Sequence, residues 1–412
     1  MIFHIINSAH PCTELVLDIA LIRGYLLKAG HAETADIKQA DTVLVSTCAF
    51  NQEYETDAVK KIRKALEGRK SGAMVIVSGC LSKINPSLFQ SIGDVTALAP
   101  SQISDIEKIF PSAVPLDKIS ANIVGVSEYR ENKMFMAGIK LKKLFGAINK
   151  IMPFIKIPDF LDTVPVPEWY LIRGASGCLG ECSYCAIKRA RGSVKSVQPD
   201  VIISQVKDAV KLGYREISFA GDDMGCYGAD INSSLPELLN EVLKAGEDFK
   251  VNIRFIEPVW LIKHFDALAA IFKTGRVTSF CAPLQSGSQK ILDSMRRRYK
   301  ISEAVAAVNY MVRETGLKSV SSIVMVGFPG ETREDFIKTY ELIGRADISL
   351  YQALKYEGRP GAPSETLGGK VSEEIKSSRQ KRFWQKLKLV RFLGLGEKAA
   401  ETIVRLKFGE IV

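Results

Sequence analysis

The chain has 412 residues, 46% apolar and 25% charged, with 56 Lys and Arg against 46 Asp and Glu for a net charge of +10. That length suits two or three domains with sizeable cores. No apolar run reaches about 18 residues, which argues against a transmembrane helix, and Met1-Ile2-Phe3-His4 lacks the basic start of a signal peptide. The expectation is a cytoplasmic protein. A basic surface by itself does not choose among nucleic acid, an acidic peptide, a membrane face and simple solubility. Eight cysteines fall as one trio on a single loop and as singles after strands. That usage fits metal binding in a reducing compartment better than disulfides.

Residues 1–115 alternate strand and helix. Apolar runs predict strands at 2–6, 42–45, 74–77 and 95–98, and helical spacing predicts helices over 14–28, 53–67 and 104–109. Such alternation implies a small parallel-sheet, flavodoxin-like domain. Cys12, Cys48 and Cys80 follow the first three strands. Ligands gather beyond the carboxyl ends of strands in open α/β sheets. The three thiols therefore either converge on one point or are ordinary core cysteines.

Residues 116–165 read as a linker. Within it, 133–152 is apolar, carries Lys140, Lys142, Lys143 and Lys150, and has no acid. It reads as a basic amphipathic helix that either touches a membrane surface or acidic partner, or packs on the neighbouring domain. Residues 166–370 show six strand–helix units, with strands near 169–173, 216–220, 251–256, 277–282, 319–326 and 348–356. They predict a partial (β/α)6 barrel, whose chemistry sits where strands end. Residues 371–412 read as helical and basic, with Phe383, Trp384 and Phe392 among the cations. Aromatics among cations either bind nucleic acid or pack a helix.

The sharpest signal follows the first barrel strand, where Cys178, Cys182 and Cys185 are spaced C-x3-C-x2-C. Soft thiolates on one loop suit an iron–sulfur cluster or zinc. A closed zinc site wants four ligands, and no fourth Cys and no His lies nearby in sequence. Three thiolates on a four-iron cluster leave one iron open to a substrate or cofactor.

This motif resembles the radical S-adenosylmethionine (SAM) enzymes, in which SAM binds the open iron. Ser46-Thr47-Cys48-Ala49-Phe50 and Val77-Ser78-Gly79-Cys80-Leu81 resemble the N-terminal domain of the radical SAM methylthiotransferases. The resemblance implies two [4Fe–4S] clusters, one on Cys12, Cys48 and Cys80 and one on Cys178, Cys182 and Cys185, the latter trio carrying the radical chemistry. It departs at Asn7-Ser8-Ala9-His10-Pro11-Cys12, which lacks the family's usual Gly-Cys pair, and in 371–412, which shows no series of short strands for the family's terminal β-barrel module. By resemblance Tyr184 packs near the adenine of SAM. Asp222 and Asp223 bind the SAM ammonium or ribose, or else cap the next helix. In Pro283-Leu284-Gln285-Ser286-Gly287-Ser288, Gln285 contacts SAM. An arginine of Arg296-Arg297-Arg298, with Arg297 as the candidate, meets its carboxylate, unless the triplet serves the helix dipole. Gly327 in Val326-Gly327-Phe328-Pro329-Gly330 permits a tight turn and a close ligand.

The implied reaction is insertion of a methylthio group at an unactivated C–H bond. The words around Cys182, with Arg191-Gly192, Asp222-Asp223 and Tyr227-Gly228, look more like members that modify an aspartate of a ribosomal protein. The expected substrate is therefore a polypeptide, either a ribosomal protein or a ribosomally made peptide. The alternative is a tRNA adenosine, and a third reading is a non-catalytic iron–sulfur or SAM-binding regulator. An electron donor such as a flavodoxin or ferredoxin is the implied partner.

Overall fold

The computed structural model describes residues 1–9, 12–119, 123–124, 140–141, 144, 169–317, 319–342, 346, 348–389 and 397–409. The expected basic helix at 133–152 lies almost wholly outside them.

The N-terminal strands are β1 (Ile2–Ile6), β2 (Ala32–Glu33), β3 (Thr42–Thr47), β4 (Met74–Gly79) and β5 (Thr96–Leu98). They form one parallel sheet in the order β2-β1-β3-β4-β5. Thr42 through Thr47 are all buried, as a strand covered on both faces requires. Two clusters cover the sheet, one around Val43, Val45, Val75 and Val77, the other around Leu44, Ile76 and Leu98. Helix α1 (Thr13–Lys28) follows β1, α2 (Gln52–Gly68) follows β3, and the short α3 (Leu81–Ile84) follows β4. The two-residue β2 has both residues exposed, so no apolar pattern announces it in the sequence. The helix expected at 104–109 is a 3-10 turn over Pro100–Asp105 that runs into a single α turn, Ile106–Ile109.

The second sheet contains β6 (Ile123–Val124) and β7 (Trp169–Arg173). A short hairpin pairs β8 (Ala175–Ser176) with β9 (Lys195–Ser196) beside it. The sheet continues with β10 (Glu216–Ala220), β11 (Lys250–Ile253), β12 (Val277–Cys281), β13 (Ser319–Val326) and β14 (Ile348–Lys355). The order β14-β13-β12-β11-β10-β7 is parallel throughout, with β6 antiparallel on the β7 edge. These six parallel strands are the six expected from the sequence. The largest core cluster in the described residues, from Tyr170 to Leu387, packs around them. Gln285 makes an isolated parallel bridge to Val324 just beyond the end of β12.

Helix α4 (Ile187–Arg191) follows the cysteine loop. It buries Ala186 and Ala190 in the N-terminal cluster beside Cys80, Leu81 and Ile84, so the two sheets are joined at the cysteine loop itself. Helices α5 (Glu373–Leu387) and α6 (Glu397–Phe408) close the chain. On α5, Phe383 packs edge-on against Phe336 at 5.8 Å and Tyr340 at 5.3 Å. The fully buried Arg382 donates to the Phe408 and Gly409 carbonyls. Trp384 is exposed, whereas Phe383 is core, so the packing reading holds for one aromatic of that pair.

Candidate iron–sulfur and cofactor site

The N-terminal thiols leave one edge of the sheet because β1, β3 and β4 end in step. Ile6 pairs with Val45, Val45 with Val77, and Thr47 with Gly79, so the loops leave the sheet at one edge. Cys12 is the N-cap of α1, its sulfur accepting from the Leu15 amide at 3.4 Å. Cys48 and Cys80 follow β3 and β4 directly and are buried, while Cys12 is exposed. Gly79 makes the last turn possible. Its φ is +128°, and a Cβ there would stand 2.0 Å from the Thr47 carbonyl oxygen. Burial, then the neighbouring Cys12, pushes the Cys48 thiol up to about 12. Burial raises Cys80 well above the ordinary thiol value, with Cys12 and Cys48 adding to it and Arg191 opposing. Each pair among the three thiols is thus within electrostatic reach.

The barrel thiols crowd the loop after β7. The Gly180 amide donates to Cys178 Sγ at 3.1 Å. A Cβ on Gly180 would meet Cys178 Sγ at 3.2 Å, a Glu257 carboxylate oxygen at 3.4 Å and Cys182 Sγ at 3.7 Å. Glycine leaves room there between the sulfurs, where a side chain would press on Cys178 Sγ. Arg297 Nη1 reaches Cys182 Sγ at 3.4 Å and Glu257 Oε1 at 3.1 Å, while Nη2 donates to the Pro283 carbonyl at 2.7 Å. Burial raises Cys182, opposed by Arg297, and burial pushes Cys185 up to about 11. Cys178 is raised first by its hydrogen bond with Cys226, then by burial. Bare thiols this high are protonated near neutrality, so metal binding at either trio releases protons.

Asp222 and Asp223 face different ways, as successive residues of an extended segment do. Asp222 Oδ2 accepts from the Gly177 amide at 2.8 Å, and Oδ1 lies 3.3 Å from Arg191 Nε, so it serves the seam toward the N-terminal trio. Asp223 Oδ1 accepts from the Gly225 and Glu257 amides, both at 3.0 Å, and Oδ2 lies 4.0 Å from Cys178 Sγ. Burial, then the Glu257 charge, pushes Asp223 up to about 7. Tyr184 sits edge-on to Phe328 at 6.5 Å. Gln285 holds φ +63° and is buried, with no hydrogen-bond partner for Oε1. Gly327 has φ +75°, its amide donates to Glu331 Oε2 at 3.0 Å, and a Cβ there would strike Lys376 Cγ at 2.3 Å.

Two residues carry more of the site than their sequence context announced. Glu257, after β11, precedes Pro258 and reads as a helix start. Only the fold turns it toward Cys182 and Arg297. Cys226 packs in the core, yet its sulfur, Cys178 Sγ and an Asp223 carboxylate oxygen lie within 4.8 Å of one another. The donor set fits a thiolate-ligated cluster at each trio: three soft ligands apiece, a glycine cradle at the barrel trio, and buried polar atoms awaiting partners at Gln285 Oε1 and Arg297 Nε.

The comparisons with known proteins agree with this geometry. Residues 172–343 match the radical SAM superfamily, and residues 5–99 match an uncharacterized protein family, UPF0004. The chain is 30% identical over 353 residues to a probable threonylcarbamoyladenosine tRNA methylthiotransferase of Pyrococcus horikoshii, covering 85% of this chain and 76% of that one. It is 29% identical over 359 residues to the threonylcarbamoyladenosine tRNA methylthiotransferase MtaB of Thermotoga maritima, covering 86% and 75%. In structure it resembles the radical S-adenosylmethionine methyltransferase TsrM of Kitasatospora setae, with TM-score 0.59 at 12% identity over 88% of this chain and 77% of that one. At that identity the likeness is one of fold.

Proposed function

Because this chain belongs to the radical SAM methylthiotransferase family, we propose that it inserts a methylthio group into a tRNA adenosine bearing a threonylcarbamoyl group. The observation that supports the reading is the pair Asp222 and Asp223, one reaching Arg191, which pairs with Asp18 of the N-terminal domain, and the other lying 4.0 Å from Cys178 Sγ. Cys178, Cys182 and Cys185 hold a [4Fe–4S] cluster that takes SAM, and Cys12, Cys48 and Cys80 hold a second. When bound, these groups supply a substrate radical and the sulfur that it collects, chemistry that requires both to reach one carbon.

The chain's own residues bind and orient. Arg297 holds Glu257 and Cys182 together through Nη1. Gln285 offers a buried acceptor without a donor among the described residues. Asp223, raised to about 7, offers a carboxylate to an ammonium.

The relatives named above are described as tRNA enzymes, which supports the tRNA alternative over the expected polypeptide substrate. The residues behind that expectation have protein partners here. Asp222 is bonded to Gly177 and Arg191, and the Tyr227 hydroxyl donates to the Val197 carbonyl at 2.8 Å. Motifs held in this way report the fold and do not report the substrate.

The test incubates reconstituted full-length protein with methyl-labelled SAM, a reductant, and tRNA with or without threonylcarbamoyladenosine, beside a ribosomal-protein fraction. Label in a nucleoside released from the modified tRNA is the expected result. Label confined to protein restores the polypeptide reading, and SAM left intact under strong reductant removes the enzymatic one.

A further inference from the structure

One face of the barrel sheet is polar. Phe219, Ile253 and Phe280 turn to the main core, and the residues between them turn the other way, as alternation along strands requires. On that other face Ser218 donates to Asn252 Oδ1 at 2.9 Å, and Asn252 Nδ2 donates to the Ser279 carbonyl at 3.3 Å. Leu171 and Ala220 of the same face pack against Val16 and Leu17 of α1, so the N-terminal domain stands over one side of it. Arg254, two residues beyond Asn252, lines a cavity there with Asn252, Cys281 and Ser321. The cavity encloses about 290 Å³, its open mouth included. Three other arginines at this end of the sheet are paired: Arg173 with Asp18 at 2.7 Å, Arg191 with Asp18 at 3.0 Å and Arg297 with Glu257 at 3.1 Å. Arg254 is half-buried and has no carboxylate and no side-chain hydrogen bond among the described residues. Its guanidinium carbon stands 5.7 Å from the centre of the Phe255 ring. A cation drawn partly out of water without a counter-charge is costly, and the cavity in front of it is where an anion meets it.

We propose that Arg254 anchors the carboxylate of the substrate and sets the preference for threonylcarbamoyladenosine. The inference rests on the tRNA reading above. A carbamoyl that joins the amine of threonine to adenine leaves the threonyl carboxylate free, and a guanidinium pairs with a carboxylate through two parallel N–H···O bonds. Arg254 directly follows β11, which ends at Ile253. Glu257 is three residues further on, about 10 Å of extended chain. Glu257 pairs with Arg297, whose Nη1 reaches Cys182 Sγ at 3.4 Å. A carboxylate held at Arg254 therefore sets the base attached to it near the barrel thiols. An adenosine without the threonylcarbamoyl arm leaves the cation unmatched, so the cavity discriminates by charge. SAM also carries a carboxylate, and the test separates the two sources.

The test uses reconstituted full-length protein and fluorescent tRNA in three forms: with threonylcarbamoyladenosine, with the methyl ester of its threonyl carboxylate, and with plain adenosine. RNA affinity is read by anisotropy without SAM, and SAM affinity is read separately. The parent binds the acid form about tenfold to a hundredfold more tightly than the ester or the plain form. Arg254→Gln binds all three alike, and Arg254→Lys keeps part of the preference for the acid. The comparison of acid with ester needs no variant, so it stands even where Arg254→Gln folds poorly. A parent that methylthiolates tRNA yet binds acid and ester equally overturns the proposal, as does an Arg254→Gln protein that keeps the parent's preference. A variant that keeps the preference and loses affinity for SAM also overturns it, and gives the guanidinium to the SAM carboxylate. A parent that modifies no tRNA at all overturns the tRNA reading itself, a different result from equal binding.

Discussion

Arg359 and Glu55 form a buried ion pair between the end of the barrel and α2 of the N-terminal domain, with side chains 7% and 8% exposed. Beside it the Gln52 amide donates to Glu357 at 3.0 Å. Truncating one member strands the other charge in the seam, which costs about 3–5 kcal/mol, whereas removing both leaves no uncompensated charge. Glu55→Ala and Arg359→Ala should therefore each shift domain docking by at least about a hundredfold. The double variant should recover most of that loss, a coupling energy on the order of 2 kcal/mol or more. The readouts are urea unfolding and the rate of tryptic cleavage in the segment between the domains, measured on all four proteins. Radical chemistry should fall in the single variants with both trios still loaded, because the seam that faces them together is loosened. A double variant that loses the sum of the two single losses would refute the argument and leave Arg359 and Glu55 as independent packing residues.

Gly79→Ala forces a Cβ to within 2.0 Å of the Thr47 carbonyl oxygen at φ +128°. It should cost about 2–5 kcal/mol and lower N-terminal iron before barrel iron, as separate Mössbauer or EPR signals would show. Asp335 caps its helix from Thr332 and accepts from Ser288 at 2.6 Å and Lys290 at 2.7 Å. Burial alone would raise its carboxyl, but the hydrogen bonds from Lys290, Ser288 and Thr332 win and hold it at about 2. A folded value below the unfolded one adds stability that is present above about pH 4 and lost as pH falls toward 2. Asp335→Asn should therefore lose about 1–2 kcal/mol near neutrality. The gap to the parent should close below about pH 4; a gap constant with pH would sink that assignment.

The sequence by itself determined the strand–helix alternation, the spacing of the cysteines along the chain and the six barrel strands. Those follow from local chemistry: β-branched runs form strands, helical spacing forms helices, and thiols spaced on one loop suit a soft metal. Ala32–Glu33 escaped notice because both residues are exposed and carry no apolar pattern. The tertiary structure decided the rest. Asp222 and Asp223 are neighbours in the chain, yet one turns to Arg191 and the other toward Cys178, a division set by the packing of the β10 loop. Glu257 becomes part of the site only when β11 lies beside β10. Arg191 lies a helical turn or so beyond Cys185, but its pairing with Asp18 depends on α4 docking against α3 of the N-terminal domain. A chain specifies spacing along itself, whereas convergence of charges from three separate loops is a property of how the sheets are joined.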